Sequence, residues 1–483
     1  MTQHPGNTAD FHEFLEVLRK LEERCEDLQG FLAPGAATSV ARAPGRLDLM
    51  GGIADYSGAL VLQLPMREAT WAAAQLAADG EWRIASLPAG GAGLPRCLHL
   101  SAAEVRRLRS GSYKEARGFF RRQAEHAWAA YVAGPVLVLS REKRIERDFG
   151  LRLLVWSCVP EGKGVSSSAA LEVAAMQAAG HCLGVAAEGA ETARLCQRAE
   201  NLVVGAPCGI MDQMTSALGR ADHLLALLCQ PAEVQGFIPL PEAAGVWGID
   251  SGIRHAVRGS DYVSVRTGAF MGYRIIAAIA GLRAEPAGEP GLVRIEDRRW
   301  AGYLANVSPA EFDRQYARHL PQSMRGDEFL RKYGGTTDRV TRVEPDRTYP
   351  IRQPTKHPVH EHARVVRFRE LLGANAGEES LREMGALMYA SHESYSACGL
   401  GSDGTDRLVR LVRQAEGAGL YGAKITGGGS GGTVAILGRA SAGEAVAGIA
   451  QRYRRETGRE AYVFCGSSPG ACEFGIRTLD GLT

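Results

Sequence analysis

A segment rich in glycine and serine, P-E-G-K-G-V-S-S-S-A-A-L-E-V at residues 160–173, has the composition of a phosphate-binding loop. Gly162 and Gly164 allow a tight turn, and the serines at 166–168 stand where an alanine-rich helix is predicted to begin. Unpaired N–H groups and the helix dipole favour an anion at such an N-terminus. Because one serine is enough to cap a helix, the run of serines favours phosphate binding over capping alone.

The segment A-P-G-R-L-D-L-M-G-G-I-A-D-Y-S-G, residues 43–58, places opposite charges on a glycine-rich turn. Its glycines leave the backbone free to approach a ligand. Asp55 could accept hydrogen bonds from sugar hydroxyls, and Arg46 could stabilise a developing negative charge. The alternative is an Arg–Asp ion pair in a surface turn, and this segment alone leaves both interpretations open.

Two carboxylates follow at a spacing of 12 residues, Glu200 at the end of a predicted amphipathic helix and Asp212 inside an apolar stretch. A carboxylate among Ile210, Met211 and Met214 is costly to bury unless it has a partner. Asp212 is therefore a candidate base or ligand. A helix-capping role for Asp212 is the alternative that this segment leaves open.

A fourth segment, K-I-T-G-G-G-S-G-G-T-V-A-I-L at residues 424–437, contains the pattern G-x-G-x-x-G. The residues after it are typical of a strand, whereas a dinucleotide-binding fingerprint must open a helix. We therefore reject a Rossmann site. We predict a glycine loop between two strands that closes over a ligand or against another glycine-rich loop.

The elements that must position these segments mix helices and strands. Periodicity predicts helices over residues 11–32, 113–133, 167–183, 188–204, 378–397 and 404–417, a buried strand over 151–158, and two short strands around a glycine-rich turn over 38–66. A proline- and charge-rich zone near 285–365 is predicted to be an insertion of short helices and loops. Its H-P-V-H-E-H stretch, residues 357–362, could bind a metal, but a surface loop is the favoured interpretation.

Composition and charge exclude several classes of protein. The 483 residues allow two or three domains. A net charge of +2 gives no electrostatic argument for nucleic acid or an anionic membrane as a partner, and no apolar run approaches the ~18 residues of a membrane span. None of the 10 cysteines forms a C-x-x-C pair, which predicts buried, reduced thiols in a cytoplasmic protein and no disulfide framework or zinc site.

Together the four segments resemble the GHMP kinase superfamily and, within it, the galactokinase branch. The stretch W-A-A-Y-V-A-G, from Trp128 to Gly134, also resembles a galactokinase segment. The resemblance covers nearly the whole chain, with the segments in the same order. The first glycine-rich segment, W-G-I-D-S-G-I-R-H at 247–255 and A-C-G-L-G-S-D-G-T-D-R-L-V at 397–409 are similar to the kinase portion of plant L-arabinokinases.

The resemblance implies a two-domain α+β fold, the GHMP kinase fold. A helical extension would cover residues 1–35, and residues 36–230 would form an N-terminal domain similar to domain 2 of ribosomal protein S5. Residues 231–483 would form a ferredoxin-like C-terminal domain that holds the insertion near 285–365. The site would lie in the cleft between the two domains.

The resemblance also implies an enzyme that uses ATP and Mg²⁺ to phosphorylate the anomeric hydroxyl of a monosaccharide, with the sugar and ATP as its small-molecule partners. Asp212 would take the proton from that hydroxyl with Arg46 beside it, and Ser168 and Glu200 would hold Mg²⁺. The other implied site residues are Asp55, Gly52, Ile53, Tyr262 and Gly428 for the sugar, and Gly162, Gly164, Ser166, Ser167, Ser168 and Trp128 for ATP.

One departure from the galactokinase pattern bears on the substrate. Galactokinases carry Glu-His where this chain has Gly52-Ile53, and in that family the pair faces the C6 side of the sugar. An apolar wall there suits a sugar without the exocyclic CH₂OH, and D-galactose without that group is L-arabinopyranose. The alternatives are neutral drift in a galactokinase for D-galactose, or a sugar-binding regulator that has lost catalysis.

Overall fold

The computed structural model describes residues 9–24, 26–88, 95–185, 187–254, 260–373 and 376–481. The helices are α1, Ala9–Arg19; α2, Ala102–Ser110; α3, Tyr113–Arg122; α4, Ala130–Glu142; α5, Ser167–Leu183; α6, Gly189–Ala199; α7, Met211–Leu218; α8, Ser260–Ile279; α9, Pro309–Glu311; α10, Gly326–Tyr333; α11, Arg352–Leu371; α12, Glu378–Ala397; α13, Asp403–Gln414; α14, Gly443–Thr457; and α15, Ala471–Phe474. The strands are β1, Ala37–Met50; β2, Leu60–Ala77; β3, Trp82–Pro88; β4, Arg96–Leu100; β5, Gly150–Ser157; β6, His223–Leu228; β7, Glu233–Pro239; β8, Ala244–Asp250; β9, Ala284–Pro286; β10, Gly291–Ile295; β11, Ser323–Arg325; β12, Gly335–Thr336; β13, Thr348–Pro350; β14, Leu420–Ile425; β15, Thr433–Arg439; β16, Val463–Cys465; and β17, Arg477–Asp480.

The larger sheet has eight strands, in the order β17-β1-β2-β5-β3-β4, with β6 pairing to β2 and β7 pairing to β6. Its central strands β1 and β2 flank the glycine-rich turn, which confirms the prediction of two strands around it. The strands run for 14 and 18 residues, so the prediction that they are short is wrong. The register of β1 shifts between Pro44 and Arg46. A bulge of this kind accommodates a Pro-Gly pair inside a long strand.

A second sheet has four antiparallel strands in the order β14-β15-β8-β16. Helices α12, α13 and α14 pack against it over a buried apolar cluster. The chain passes from one sheet to the other between β7 and β8, and β17 returns to the larger sheet. The domain boundary predicted at residues 230 and 231 therefore falls inside the hairpin of β6 and β7.

The insertion has short elements as far as Pro350, and its own core of buried aromatic side chains packs against α8. The favoured surface-loop interpretation of residues 357–362 is wrong, because these residues lie inside the 20-residue helix α11. Pro354 lies in the first turn, where a missing N–H is tolerated. Pro358 lies deeper in the helix, and burial of that face offsets the hydrogen bond it cannot make.

The cysteines are free throughout the described part of the chain, which excludes Cys25. Cys196, Cys229 and Cys398 are buried, whereas Cys472 is exposed. Within the same part of the chain, no group of three or more His, Cys, Asp and Glu side chains is arranged to hold a metal ion. The alternative of a metal site in the H-P-V-H-E-H stretch therefore has no support among the described residues.

Candidate active site

The serine-rich loop leads directly into α5, which begins at Ser167 as predicted. Ser166 has a left-handed backbone (φ 60°) and its side chain makes no capping hydrogen bond. The Ser166 hydroxyl is buried and has no hydrogen-bond partner among the described residues. A buried donor costs free energy unless something binds it. The uncapped helix end and this hydroxyl therefore fit an anion such as a phosphate group.

Arg46 on β1 meets Asp212 in the first turn of α7. The Nε and Nη2 atoms of Arg46 both donate to Oδ1 of Asp212, at 3.0 and 2.7 Å. The third donor, Nη1, binds the carbonyl oxygen of Gly164 at 2.8 Å. Arg46 is 2% exposed, so the surface-turn interpretation of this residue is wrong. The N-cap of α7 is Ile210, so Asp212 does not cap the helix.

Glu200 lies at the junction between α6 and a single π turn over Glu200–Val204. Its carboxylate is bound by the Ser168 hydroxyl and by Nε2 of Gln213, the latter at 2.6 Å. Burial, and then the neighbouring Asp212, raise the pKa of Glu200 to about 7. A hard cation would favour the charged carboxylate. The oxygens of Ser168 and Glu200 fit Mg²⁺, which uses few protein ligands and keeps its waters.

Asp55 lies in the first turn of a 3₁₀ helix over Asp55–Ser57 and lines the same cleft as Asp212. The residue is 5% exposed. Burial, and then the charge of Asp212, raise the pKa of Asp55 to about 6. A Cβ at Gly209 would lie 1.5 Å from Oδ2 of Asp55, so only glycine allows this close approach.

Gly52 and Ile53 differ in what they present to the cleft. Ile53 lines it and packs beside Tyr262. Gly52 lies behind the wall, where a Cβ would be 1.9 Å from Oη of Tyr395 and 2.2 Å from Oδ2 of Asp48. Gly52 therefore shapes the site through its backbone, and Ile53 provides the apolar surface.

The glycine loop after β14 packs against the phosphate loop, one of the two arrangements that the sequence predicts. Gly427 and Gly164 approach so closely that a Cβ on Gly427 would lie 2.6 Å from the carbonyl oxygen of Gly164. Beneath this contact, Nζ of Lys424 binds Oδ2 of Asp48 at 2.6 Å, with both side chains fully buried. Breaking such a pair is strongly destabilising. The pair joins β1 to β14.

Nearly all of the predicted site residues meet in one cleft. They are Arg46, Ile53, Asp55, Gly162, Gly164, Ser166, Ser167, Ser168, Glu200, Asp212, Tyr262 and Gly428. Trp128 lies in an adjoining pocket with Tyr131 and Leu171, and this pocket shares Gly162, Ser167 and Ser168 with the cleft. The phosphate loop thus connects the cleft to a second pocket, which is lined by Trp128, Tyr131 and Leu171.

A buried ion pair next to the cleft is not evident from the sequence. Arg266 on α8 binds both carboxylate oxygens of Asp338, at 2.9 and 3.0 Å. Its Nη1 atom donates to the carbonyl oxygen of Cys208, a residue of the cleft wall. Arg266 could have been predicted to lie near the site, because it follows Tyr262 by one helical turn. Asp338 comes from the insertion, 72 residues away, and no local signal marks it.

Comparison with known proteins assigns the chain to a family. Residues 130–220 match the model for the GHMP kinase N-terminal domain, and residues 370–455 match the GHMP kinase C-terminal model. Residues 32–76 match the galactokinase galactose-binding signature. A galactokinase from Chloroflexus aggregans is 30% identical over 87% of this chain and 90% of that protein. The chain belongs to the GHMP kinase family, in its galactokinase group.

Within this family the chain is also 44% identical to the L-arabinokinase of Arabidopsis thaliana, over 90% of its own length. That match covers 46% of the plant protein, so the chain spans about half the length of this relative. The structure of Lactococcus lactis galactokinase complexed with galactose superposes with a TM-score of 0.69 at 19% identity, covering 96% of this chain and 100% of that chain. A mevalonate kinase superposes with a TM-score of 0.52. These likenesses confirm the predicted two-domain GHMP kinase fold.

No helix in the described part of the chain is both long enough and apolar enough to cross a bilayer.

Proposed function

We propose that the protein transfers the γ-phosphoryl group of ATP to the anomeric hydroxyl of L-arabinose, giving L-arabinose 1-phosphate, in the cytoplasm. The observation that carries the proposal is the Arg46–Asp212 pair, held at 2.7 Å beside the open N-terminus of α5. A candidate base and a candidate phosphate site thus line the same cleft. The galactokinase group membership and the 44% identity to an L-arabinokinase support the sugar 1-kinase activity.

ATP fits the phosphate loop and the adjoining pocket. The backbone at Gly162 and Gly164 and the hydroxyls of the serine run would bind the phosphates, and the Trp128 pocket would hold the adenosine. Ser168 and Glu200 would hold Mg²⁺, which neutralises charge on the phosphates when it is bound. Arg46 binds the carbonyl oxygen of Gly164, so the loop and the base have a fixed relative position.

Asp212 would accept the proton of the anomeric hydroxyl. Because Arg46 occupies its Oδ1 atom through two hydrogen bonds, we assign the Oδ2 atom to the sugar. The sugar oxygen forms a bond to the γ-phosphorus, the bond to the β-phosphate oxygen breaks, and ADP leaves with that electron pair. Positioning and charge neutralisation supply most of the catalysis in phosphoryl transfer. The Arg46 guanidinium would stabilise the negative charge that develops on the reacting oxygen.

The sugar would lie between Asp55 and Tyr262 on one side and Gly428 on the other. Ile53 would face the carbon that bears CH₂OH in D-galactose. Burying that hydroxyl without a partner costs about 1–3 kcal/mol, which corresponds to roughly ten- to a hundredfold in kcat/KM. D-Galactose is the second candidate substrate, and the galactose-binding signature over residues 32–76 favours it.

The position of phosphorylation can be read directly from the product. Purified protein, MgATP and L-arabinose should give a sugar phosphate whose phosphorus couples to the anomeric proton in ³¹P and ¹H NMR spectra. The Asp212→Asn variant is the control and should form this product far more slowly. A product phosphorylated on any other oxygen, or no product with either L-arabinose or D-galactose, would refute the proposed function.

A further inference from the structure

The H-P-V-H-E-H stretch has no role in the proposed function, yet its helix α11 faces the loop that carries Ile53. The Nε2 atom of His357 donates to the carbonyl oxygen of Gly52 at 3.0 Å. One turn further along α11, Oε1 of Glu361 accepts a hydrogen bond from the N–H of Gly51 at 3.1 Å. Two neighbouring residues of the loop are thus bound from the same helix.

Side chains of α11 and α12 hold both His357 and Glu361 in place by hydrogen bonds. Nδ1 of His357 accepts a hydrogen bond from the Ser394 hydroxyl at 2.8 Å. The Nε2 atom must then carry the proton, because a carbonyl oxygen can only accept. Burial lowers the pKa of His357 to about 4, so the ring is neutral at neutral pH. Glu361 is held by the Ser391 hydroxyl and by Nε of Arg364, each at 2.7 Å.

The loop needs such support because its backbone is unusual. Ile53 has φ 51°, and a β-branched residue in the left-handed region is strained. Such a conformation persists only when the surroundings determine it. Ile53 packs against Val265 and Leu400 while it also lines the cleft. A change in the backbone at residues 51 and 52 would therefore move the apolar wall.

We propose that His357 and Glu361 are positioning residues for sugar selection. They hold the backbone of Gly51 and Gly52 so that Ile53 keeps its apolar surface against the side of the sugar that has no CH₂OH. The identity of that sugar rests on the proposed function, whereas the support of the loop does not. Neither side chain is among those that line the cleft or the adjoining pocket, so ATP binding should be unaffected.

The test compares two substitutions of His357. His357→Gln keeps an N–H donor at the position of Nε2, whereas His357→Leu removes it. For each variant, kcat/KM is measured with L-arabinose and with D-galactose, together with the KM for ATP. Hydrogen–deuterium exchange of a peptide covering residues 50–56 is measured without sugar. Wild-type protein is measured in the same series. A wild type that phosphorylates neither sugar would contradict the proposed function, whereas the exchange of the loop peptide in the variants would still test this inference.

We expect His357→Leu to raise the KM for L-arabinose about tenfold, to reduce the preference over D-galactose, and to speed exchange in the loop peptide. The KM for ATP should stay within twofold, and His357→Gln should recover most of each effect. If His357→Leu does not fold, Ser394→Ala should shift the same quantities in the same direction, because the Nδ1 partner is lost. Unchanged loop exchange and unchanged sugar preference would overturn the inference. The inference would also be overturned if His357→Gln and His357→Leu changed these quantities equally, or if the KM for ATP rose together with the KM for L-arabinose.

Discussion

Replacement of Gly52 by alanine should destabilise the protein, because the space for a side chain at this position is already filled. The new Cβ would lie 1.9 Å from Oη of Tyr395 and 2.2 Å from Oδ2 of Asp48. Tyr395 would have to leave the carbonyl oxygen of Gly427, to which its hydroxyl donates at 3.0 Å. The Asp48 carboxylate is held in turn by Lys424.

The expected cost follows from these contacts. Overpacking a core costs typically ~1–3 kcal/mol, and a lost buried hydrogen bond costs about 1–3 kcal/mol. We therefore expect Gly52→Ala to lower the free energy of unfolding by roughly 2–6 kcal/mol. If the Asp48–Lys424 pair also breaks, the loss will be larger.

Urea unfolding of a double-mutant cycle measures this coupling. Tyr395→Phe removes the hydroxyl that the new methyl group meets, so it should cost much less in the Gly52→Ala background than in the wild type. Gly448→Ala is a matched control, since that glycine lies in α14 with nothing within 4 Å of a Cβ, and alanine favours a helix. A Gly52→Ala variant within about 0.5 kcal/mol of wild type would refute the reasoning.

Three further predictions concern the reacting groups. Asp212→Asn should keep the fold and ATP binding but lower kcat about 10²–10⁴-fold, and near-normal kcat would rule out Asp212 as the base. The pKa of Asp55 is raised to about 6, so its carboxylate is charged above that pH and becomes protonated below it. At saturating MgATP, kcat/KM for the sugar should therefore fall about tenfold between its high-pH plateau and pH 5. The Asp55→Asn variant should have a lower kcat/KM that no longer depends on pH in this range, and a variant with the wild-type pH profile would exclude Asp55 as its source. Glu200→Gln should raise the Mg²⁺ concentration needed for half-maximal rate by at least about tenfold, whereas an unchanged Mg²⁺ requirement would show that Glu200 is not a ligand.

Helix α5 could be predicted from sequence because several local signals agree there. A glycine-rich turn, a serine cluster and an unbroken run of helix-forming residues coincide at Ser167, where the helix begins. The strand β1 misled the prediction, because Pro44 and Gly45 indicate a turn. The strand continues through them with a bulge, and burial of nearly its whole length sustains it.

Helix α11 was missed for a related reason. Pro354 and Pro358 favour a loop in any local reading, and only the burial of that helix face overrides them. The hydrogen bond from His357 to Gly52 joins residues 305 positions apart. Such a contact depends on the tertiary fold and leaves no trace in a local pattern.

The proposed catalytic residues could be predicted from the sequence because each lies in a distinctive motif. The ion pair that supports them could not be predicted, although Asp48 and Lys424 lie in two of the same segments. The two residues are separated by 376 positions, and no local pattern indicates that they form a fully buried pair. The geometry that holds the site is therefore a property of the fold, whereas the chemistry of the site is visible in the motifs.

Wild-type kcat/KM for L-arabinose and for D-galactose tests most directly whether the protein is a sugar 1-kinase that prefers L-arabinose. Both sugars are assayed by ADP release with the same protein at saturating MgATP. We expect L-arabinose to be preferred by about ten- to a hundredfold, since each 1.4 kcal/mol is about tenfold. Residual activity with D-galactose is compatible with this account, because an apolar pocket rejects an added hydroxyl only moderately. Equal or greater efficiency with D-galactose would contradict the argument from Ile53 and would make the protein a galactokinase.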